Sequence, residues 1–316
     1  MTSLSDSQEM DWRYVNPTII SAPQPARTAE TLPASITRAA SKQTYYTIRY
    51  LVDRDRVLNA YRTYAYFRWV DDRLDEQLST TEARTAFIER QQTLMNRCYQ
   101  GELVHDLSAE ERMLWDLIHS DTQPDSGLHR YIQHMMAVMA FDADRRGQLI
   151  GQQALDAYSV HLATAVTEAL HYFIGHGQYA PYDETRYCAV IGAHITHMLR
   201  DTADDIAAGY FNISREFVQA HQLDIRDLSS DAYRLWVRQR VEQARTCFDT
   251  GKTYLAQVKN RRCRLAGYAY MARFQGVLDT LTRHDYRLQP DDQAHRSITG
   301  GLKMGWSLLT LLARQA

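Results

Sequence analysis

An all-α protein with one domain is what this 316-residue sequence predicts. Three observations carry that expectation. Apolar residues recur every three or four positions through most of the chain, and no segment alternates convincingly as a strand does. Glycine and proline are scarce, with 14 and 7 residues, and both disfavour helix interiors. Two separate segments place carboxylates one helical turn apart, with apolar residues on the opposite side.

The elements follow in order. Residues 1–33 hold Pro17, Pro23, Pro25 and Pro33 without an apolar period and read as a flexible arm. Residues 34–316 read as the helical domain. A helix from Ile36 is expected to contain Ser41, Lys42 and Tyr45. Asp53 or Asp55 is placed to cap the next helix, whose apolar stripe runs Val57, Leu58, Tyr61, Tyr64 and Ala65. Ser79-Thr80-Thr81-Glu82 has the look of a capping box, with Gly101 as the stop of the helix that it opens. Ser108 starts a short helix, and Pro124 to Gly127 forms a turn. Leu128 to about Ala143 is apolar and rich in methionine (Met135, Met136, Met139), which suits either a core or an apolar tunnel. Leu155 to Ile174 reads as a buried helix with Thr164, Ala165 and Thr167 small enough for a close neighbour. Another helix carries the second acidic segment and stops near Gly209. Ser230 caps a long one through Val258, with Gly251 marking close packing or a kink. Leu265 to Leu281 and Leu302 to Leu312 complete the series.

Bulk composition narrows the function. The charge is balanced, 36 basic residues against 38 acidic ones, which argues against a nucleic-acid partner held by bulk electrostatics. Cys98, Cys188, Cys247 and Cys263 are widely spaced with no CxxC pair, as in a reducing compartment, and they give no sign of zinc. No early apolar run resembles a signal peptide, and none is long enough to cross a bilayer. A cytoplasmic location is expected, with peripheral membrane association left open.

The chemistry concentrates in the two acidic segments. In the stretch from His194 to Asp205, helical spacing stacks His197, Asp201 and Asp205 in one row, with His194 a turn earlier and Arg200 beside it. In the stretch from Tyr64 to Glu76, Asp71 and Asp75 stand a turn apart, with Asp72 adjacent and Arg68 a turn before. Hard divalent cations such as magnesium favour carboxylate oxygens. One such row alone reads equally as a solvated helix edge. Two of them far apart in one helical chain read as two walls of a single site.

These motifs are similar to those of the squalene/phytoene synthase family, the head-to-head trans-isoprenyl diphosphate synthases. The likeness runs from about Ser41 to Tyr286. The aromatic helix ending in Asp71-Asp72-Arg73-Leu74-Asp75-Glu76 resembles the family's DDxxDE signature. Leu199 to Tyr210, followed by Arg215-Glu216, resembles its second signature. Ser41-Lys42 resembles a serine-rich flap over a diphosphate, and Asp142 and Tyr158 fall where the family has an aspartate and a helix-opening tyrosine.

The resemblance implies an isoprenoid-synthase-type helical bundle around a central cavity. It implies metal-dependent condensation of two prenyl diphosphates with release of diphosphate, as in isoprenoid and carotenoid biosynthesis. Asp71, Asp75, His197, Asp201 and Asp205 would be the metal ligands. Asp71, Asp72, Asp75, Asp201, Asp205 and Tyr158 would be the catalytic set. Ser41, Lys42, Tyr45, Arg68, His194, Arg200 and Phe274 would touch substrate. The cofactor would be Mg2+, with Mn2+ as the alternative, and NADPH only if the product is the reduced, squalene type. The chain departs from the pattern at His194 and His197 (glutamine and asparagine in the family), at Thr164 and Thr167 (glycines), at Phe274 (tyrosine) and at Ser214 (proline). Carboxylates flanking His197 are expected to raise its pKa, and its imidazole to shift the metal preference from magnesium towards manganese. Three readings stand: the head-to-head condensation, the same ionising chemistry with another acceptor or a cyclised product, and a non-catalytic helical binding or assembly protein. A carboxylate-bridged di-iron bundle would want Glu-x-x-His pairs, which the chain lacks in the right setting.

Overall fold

The computed structural model describes residues 31–288, and among these it has helices and no strand. The arm up to residue 30 and the helix expected at Leu302 to Leu312 lie outside the described residues. The first helix, α1 (Leu32–Ala40), starts earlier than the sequence suggests. Pro33 lies in its first turn, where a missing backbone N–H costs nothing. The single helix expected through Ser41 is two helices. Ser41 takes an extended conformation and caps α2 (Lys42–Leu51), its hydroxyl accepting from the Thr44 N–H.

A short 3-10 turn, Arg54–Arg56, leads into α3 (Val57–Asp72). Asp53 makes no cap there. It accepts instead from the Gly175 and His176 N–H groups at 2.9 and 3.1 Å, fastening the loop after α7 to the start of α3. Thr80 caps α4 (Thr81–Tyr99), and Ser108 and Glu111 form a reciprocal capping box on α5 (Ala109–Ser120). Ser126 caps α6 (Gly127–Arg145), which is followed by α7 (Gln152–Phe173). A 3-10 turn, Glu184–Tyr187, opens α8 (Cys188–Ala208). After α9 (Arg215–Ala220) come the two long helices α10 (Asp231–Gln257) and α11 (Arg261–Arg283), capped by Ser230 and Asn260.

Packing runs round the bundle. α3 rests on α1, α2 and α5; α4 joins α5 to α6; α6 lies along α7; α8 packs on α7, α10 and α11; and α11 returns to α2. α8 and α10 approach closely at two glycines. A Cβ on Gly251 would meet the Ala189 backbone at 2.8 Å, and one on Gly192 would meet the Ala244 carbonyl at 2.9 Å. Close packing, not a kink, explains the glycine inside α10, whose helix runs unbroken past it. Met136 and Met139 are buried in the core and Met135 is half-buried, so the methionine stripe is mainly packing. No helix among the described residues is long and apolar enough to cross a membrane.

Candidate active site

The first acidic row sits where α3 changes gait. The helix ends at Asp72, and Arg73–Gln77 continues as one wider turn, closed by the Leu78 N–H on the Arg73 carbonyl at 3.1 Å. Wide turns of this kind are rare and often mark functional positions. Asp75 lies in that turn, not in regular α-helix, and its Oδ1 accepts from the Tyr210 hydroxyl at 2.9 Å. Tyr210 follows α8, which ends at Gly209 in the left-handed conformation (φ 89°) that glycine adopts without strain. The segment after the second row thus reaches the end of the first.

Asp142 at the end of α6 lies between the two rows. Burial raises its pKa, and its carboxylate accepts from Arg145 Nε at 2.6 Å and from the Tyr158 hydroxyl at 3.2 Å. Burial also raises Asp71 to about 6, with Asp75 and Asp142 adding to the effect and Arg68 opposing it. Asp205 is raised to about 7 by burial, then by Asp201 and Asp142, against the pull of Arg145 and Asn212. Asp142 therefore acts on a carboxylate of each row. Carboxylates crowded like this favour a cation among them. An open cleft of about 530 Å³ runs beside Asp75 and Glu76 and the end of α8, with Arg146 in its wall.

The remaining predicted residues distribute as follows. Arg68 pairs within its own helix, with Asp71 at 3.3 Å and with Asp72. Arg200 makes two 2.6 Å contacts to neighbouring Asp201. His197 Nε2 is 3.1 Å from Asp201 Oδ2, and its ring meets Phe274 of α11 edge-on at 6.3 Å. The His197 side chain is 52% exposed, yet desolvation lowers its pKa, as for a group facing a recess walled by protein. This reverses the expectation that flanking carboxylates would raise it: burial and Arg200 outweigh Asp201. His194 is buried edge-on to Tyr158 at 5.1 Å, lowered to about 3 by burial, with no hydrogen-bond partner at Nδ1. Ser41 is committed to its helix cap, near the Tyr64 hydroxyl, which also feels Arg68 and Asp71. Lys42 is exposed on the first turn of α2, and Tyr45 stacks on Tyr61 at 5.4 Å.

Sequence reasoning missed Arg145, Asn212 and Tyr210. Arg145 Nη1 donates to Asn212 Oδ1 at 2.9 Å, and Asn212 Nδ2 donates to Asp205 Oδ2 at 2.7 Å. Arg145 stands three residues after Asp142, a helical pair visible in the sequence, but its partner 67 residues away is not. Among the described residues no three His, Cys, Asp or Glu side chains already stand close enough to enclose a metal ion. The donor set nonetheless fits magnesium, which typically takes one or two carboxylates and completes its shell with water and phosphate oxygens. Burial and neighbouring carboxylates raise the pKa values of Asp71 and Asp205, and a cation among these groups would oppose that rise.

Comparison with known proteins places this arrangement. The family model described as "Squalene/phytoene synthase" matches residues 37–299. No curated protein matches the chain in sequence. Among solved structures, the squalene synthase HpnC from Alicyclobacillus acidocaldarius is similar at TM-score 0.61 and 18% identity, over 81% of this chain and 94% of that one. A dehydrosqualene synthase in complex with ligand is similar at TM-score 0.69 and 15% identity, over 89% and 95% of the two chains. At these identities the two structures speak for the fold.

Proposed function

Because the chain belongs to the squalene/phytoene synthase family, we propose that it condenses two prenyl diphosphates head to head in a metal-dependent reaction that releases diphosphate. The observation that carries this reading is the pair of acidic rows gathered around Asp142, with Asp71 and Asp205 raised to about 6 and 7. Such a site has a use for divalent cations, and a diphosphate supplies the oxygens that would bridge them. Asp71 and Asp75 on one side, and Asp201 and Asp205 on the other, would hold the ions. These carboxylates would hold Mg2+, which would supply the charge that neutralises the diphosphate as a leaving group.

The chain's own residues do the rest. Arg68 and Arg200 stand beside the rows and would turn from aspartate to diphosphate oxygens when substrate enters. Tyr158, hydrogen-bonded to Asp142 and with its phenol held neutral by burial, presents an aromatic wall to an allylic cation. Phe274 and Tyr270, edge to face at 5.3 Å, extend that wall from α11. Ser41, Lys42 and Tyr45 would close over the head group. His197 is held neutral by burial, the form that can ligate a metal, although it would first give up its hydrogen bond to Asp201. NADPH enters only if the product is reduced.

The deciding experiment is a Mg2+ and Mn2+ titration with a prenyl diphosphate, reading diphosphate release and then product. Metal-dependent release with a coupled hydrocarbon supports the proposal. Release with a cyclised or singly prenylated product moves it to a relative of the same chemistry. No release with any chain length or metal would refute it.

A further inference from the structure

We infer that Arg145 and Asn212 are positioning residues that fix the orientation of the Asp205 carboxylate and tie it to α6. The inference rests on the site being the metal and diphosphate centre proposed above. Arg145 is 6% exposed and Asn212 8%, so both are committed to protein partners. The guanidinium is held by two hydrogen bonds and by aromatic rings. Its Nε donates to Asp142 and its Nη1 to Asn212, while its plane lies 4.9 Å from the Tyr158 ring centre and 5.0 Å from that of Tyr210. Asn212 passes the interaction on, accepting from Arg145 and donating to Asp205 Oδ2.

The amide can take only one orientation. Flipped, its N–H groups would face the guanidinium and its oxygen would face a carboxylate, so both contacts would become repulsive. The relay is therefore directional, and it holds one Asp205 oxygen, Oδ2. A simple buried ion pair would need only Arg145 and Asp142. Asn212 adds nothing to that pair, and its side-chain hydrogen bonds within the described residues run from Arg145 to the acidic row. The same arginine lies against Tyr210, whose hydroxyl holds Asp75, so one residue of α6 touches the supports of both rows.

Groups that orient metal-binding side chains typically change metal affinity 10–100-fold when removed. The test is binding of Mn2+ to the full chain in the presence of inorganic diphosphate, read by electron paramagnetic resonance of free Mn2+, with thermal melting in parallel. Asn212→Leu and Asn212→Ser should each weaken Mn2+ binding by about tenfold or more. Arg145→Lys should do the same, because a point charge cannot serve Asp142 and Asn212 together. The double variant Arg145→Lys/Asn212→Leu should bind no worse than the weaker single, as residues of one relay must. Wild-type affinity in both Asn212 variants would overturn the inference while leaving the proposed function standing. So would additive losses in the double variant. Failure of the unaltered protein to bind Mn2+ with diphosphate would remove the proposed function, and this inference with it.

Discussion

At the scale of single residues, Arg68 shows how a structural and a chemical role separate. It pairs with Asp71 and Asp72 on its own helix, at a side-chain exposure of 39%. Pairs of that kind contribute about 0.2–0.5 kcal/mol. Arg68→Ala should therefore shift the unfolding free energy by less than about 1 kcal/mol. If the guanidinium turns to the diphosphate, the same variant should lose about tenfold or more in kcat/KM, as for removal of a charged hydrogen bond. Urea unfolding and steady-state kinetics on one preparation check both halves. Unchanged kinetics would confine Arg68 to its helix. The spacing of Arg68, Asp71 and Asp75 was readable from the sequence because it is local, although Asp75 falls in the wide turn after α3 and not in the regular helix. Tyr210 holding Asp75 across 135 residues was not, since no local pattern encodes a long-range partner.

At the scale of elements, the helices were largely legible and their ends less so. Capping residues announced α5 and α10, where Ser108 and Ser230 accept from a backbone N–H of the first turn. The box read at Ser79 to Glu82 found α4 with its cap one residue later, at Thr80, and Ser126, read as part of a turn, also caps α6. The break at Ser41 was missed because its capping role competes with the apolar period that runs through it. Asp53 looked like a cap and serves as a long-range tie, a choice set by where the loop after α7 comes to rest. The wide turn that carries Asp75 left no trace in a pattern read at α-helical period. Gly251 was visible as an oddity, and the structure supplies its reason in the contact with Ala189. Gly251→Ala inserts a methyl where backbone already stands at 2.8 Å, so it should destabilise by about 1–3 kcal/mol. Denaturant midpoints at unchanged slope measure this. Because α8 carries Asp201 and Asp205, a parallel loss of metal affinity is expected, and Gly276→Ala on α11, with open space around it, is the control.

At the scale of the whole molecule, the buried titrating groups pull in opposite directions, and bound cation should reveal one of them. Asp71 and Asp205 have folded pKa values of about 6 and 7, above the ordinary carboxylate value. Between roughly pH 4 and 7 the folded chain therefore holds more protons on these groups than the unfolded chain. Their contribution to stability falls as pH rises. His171 and His194, lowered to about 4 and 3 by burial, do the reverse. Below about pH 6.5 the unfolded chain takes up the protons that the folded one refuses, so stability falls on acidification. The two trends oppose each other in the protein without ligand, two carboxylates against two histidines, and on these groups its stability should change little from pH 7.5 to 5.5. A divalent cation bound by Asp71 and Asp205 must displace their protons. Its affinity should weaken by roughly tenfold per pH unit for each proton displaced, once pH drops below the two pKa values. The rise in melting temperature given by a fixed Mn2+ concentration should then be large at pH 7.5 and small at pH 5.5. Mn2+ alone is the right probe, because diphosphate titrates in the same range. Asp71→Asn/Asp205→Asn should abolish the rise at both pH values and unmask the acid decline set by the histidines, which the carboxylates no longer offset. A rise in melting temperature of equal size at pH 5.5 and 7.5 would show that the cation sits elsewhere.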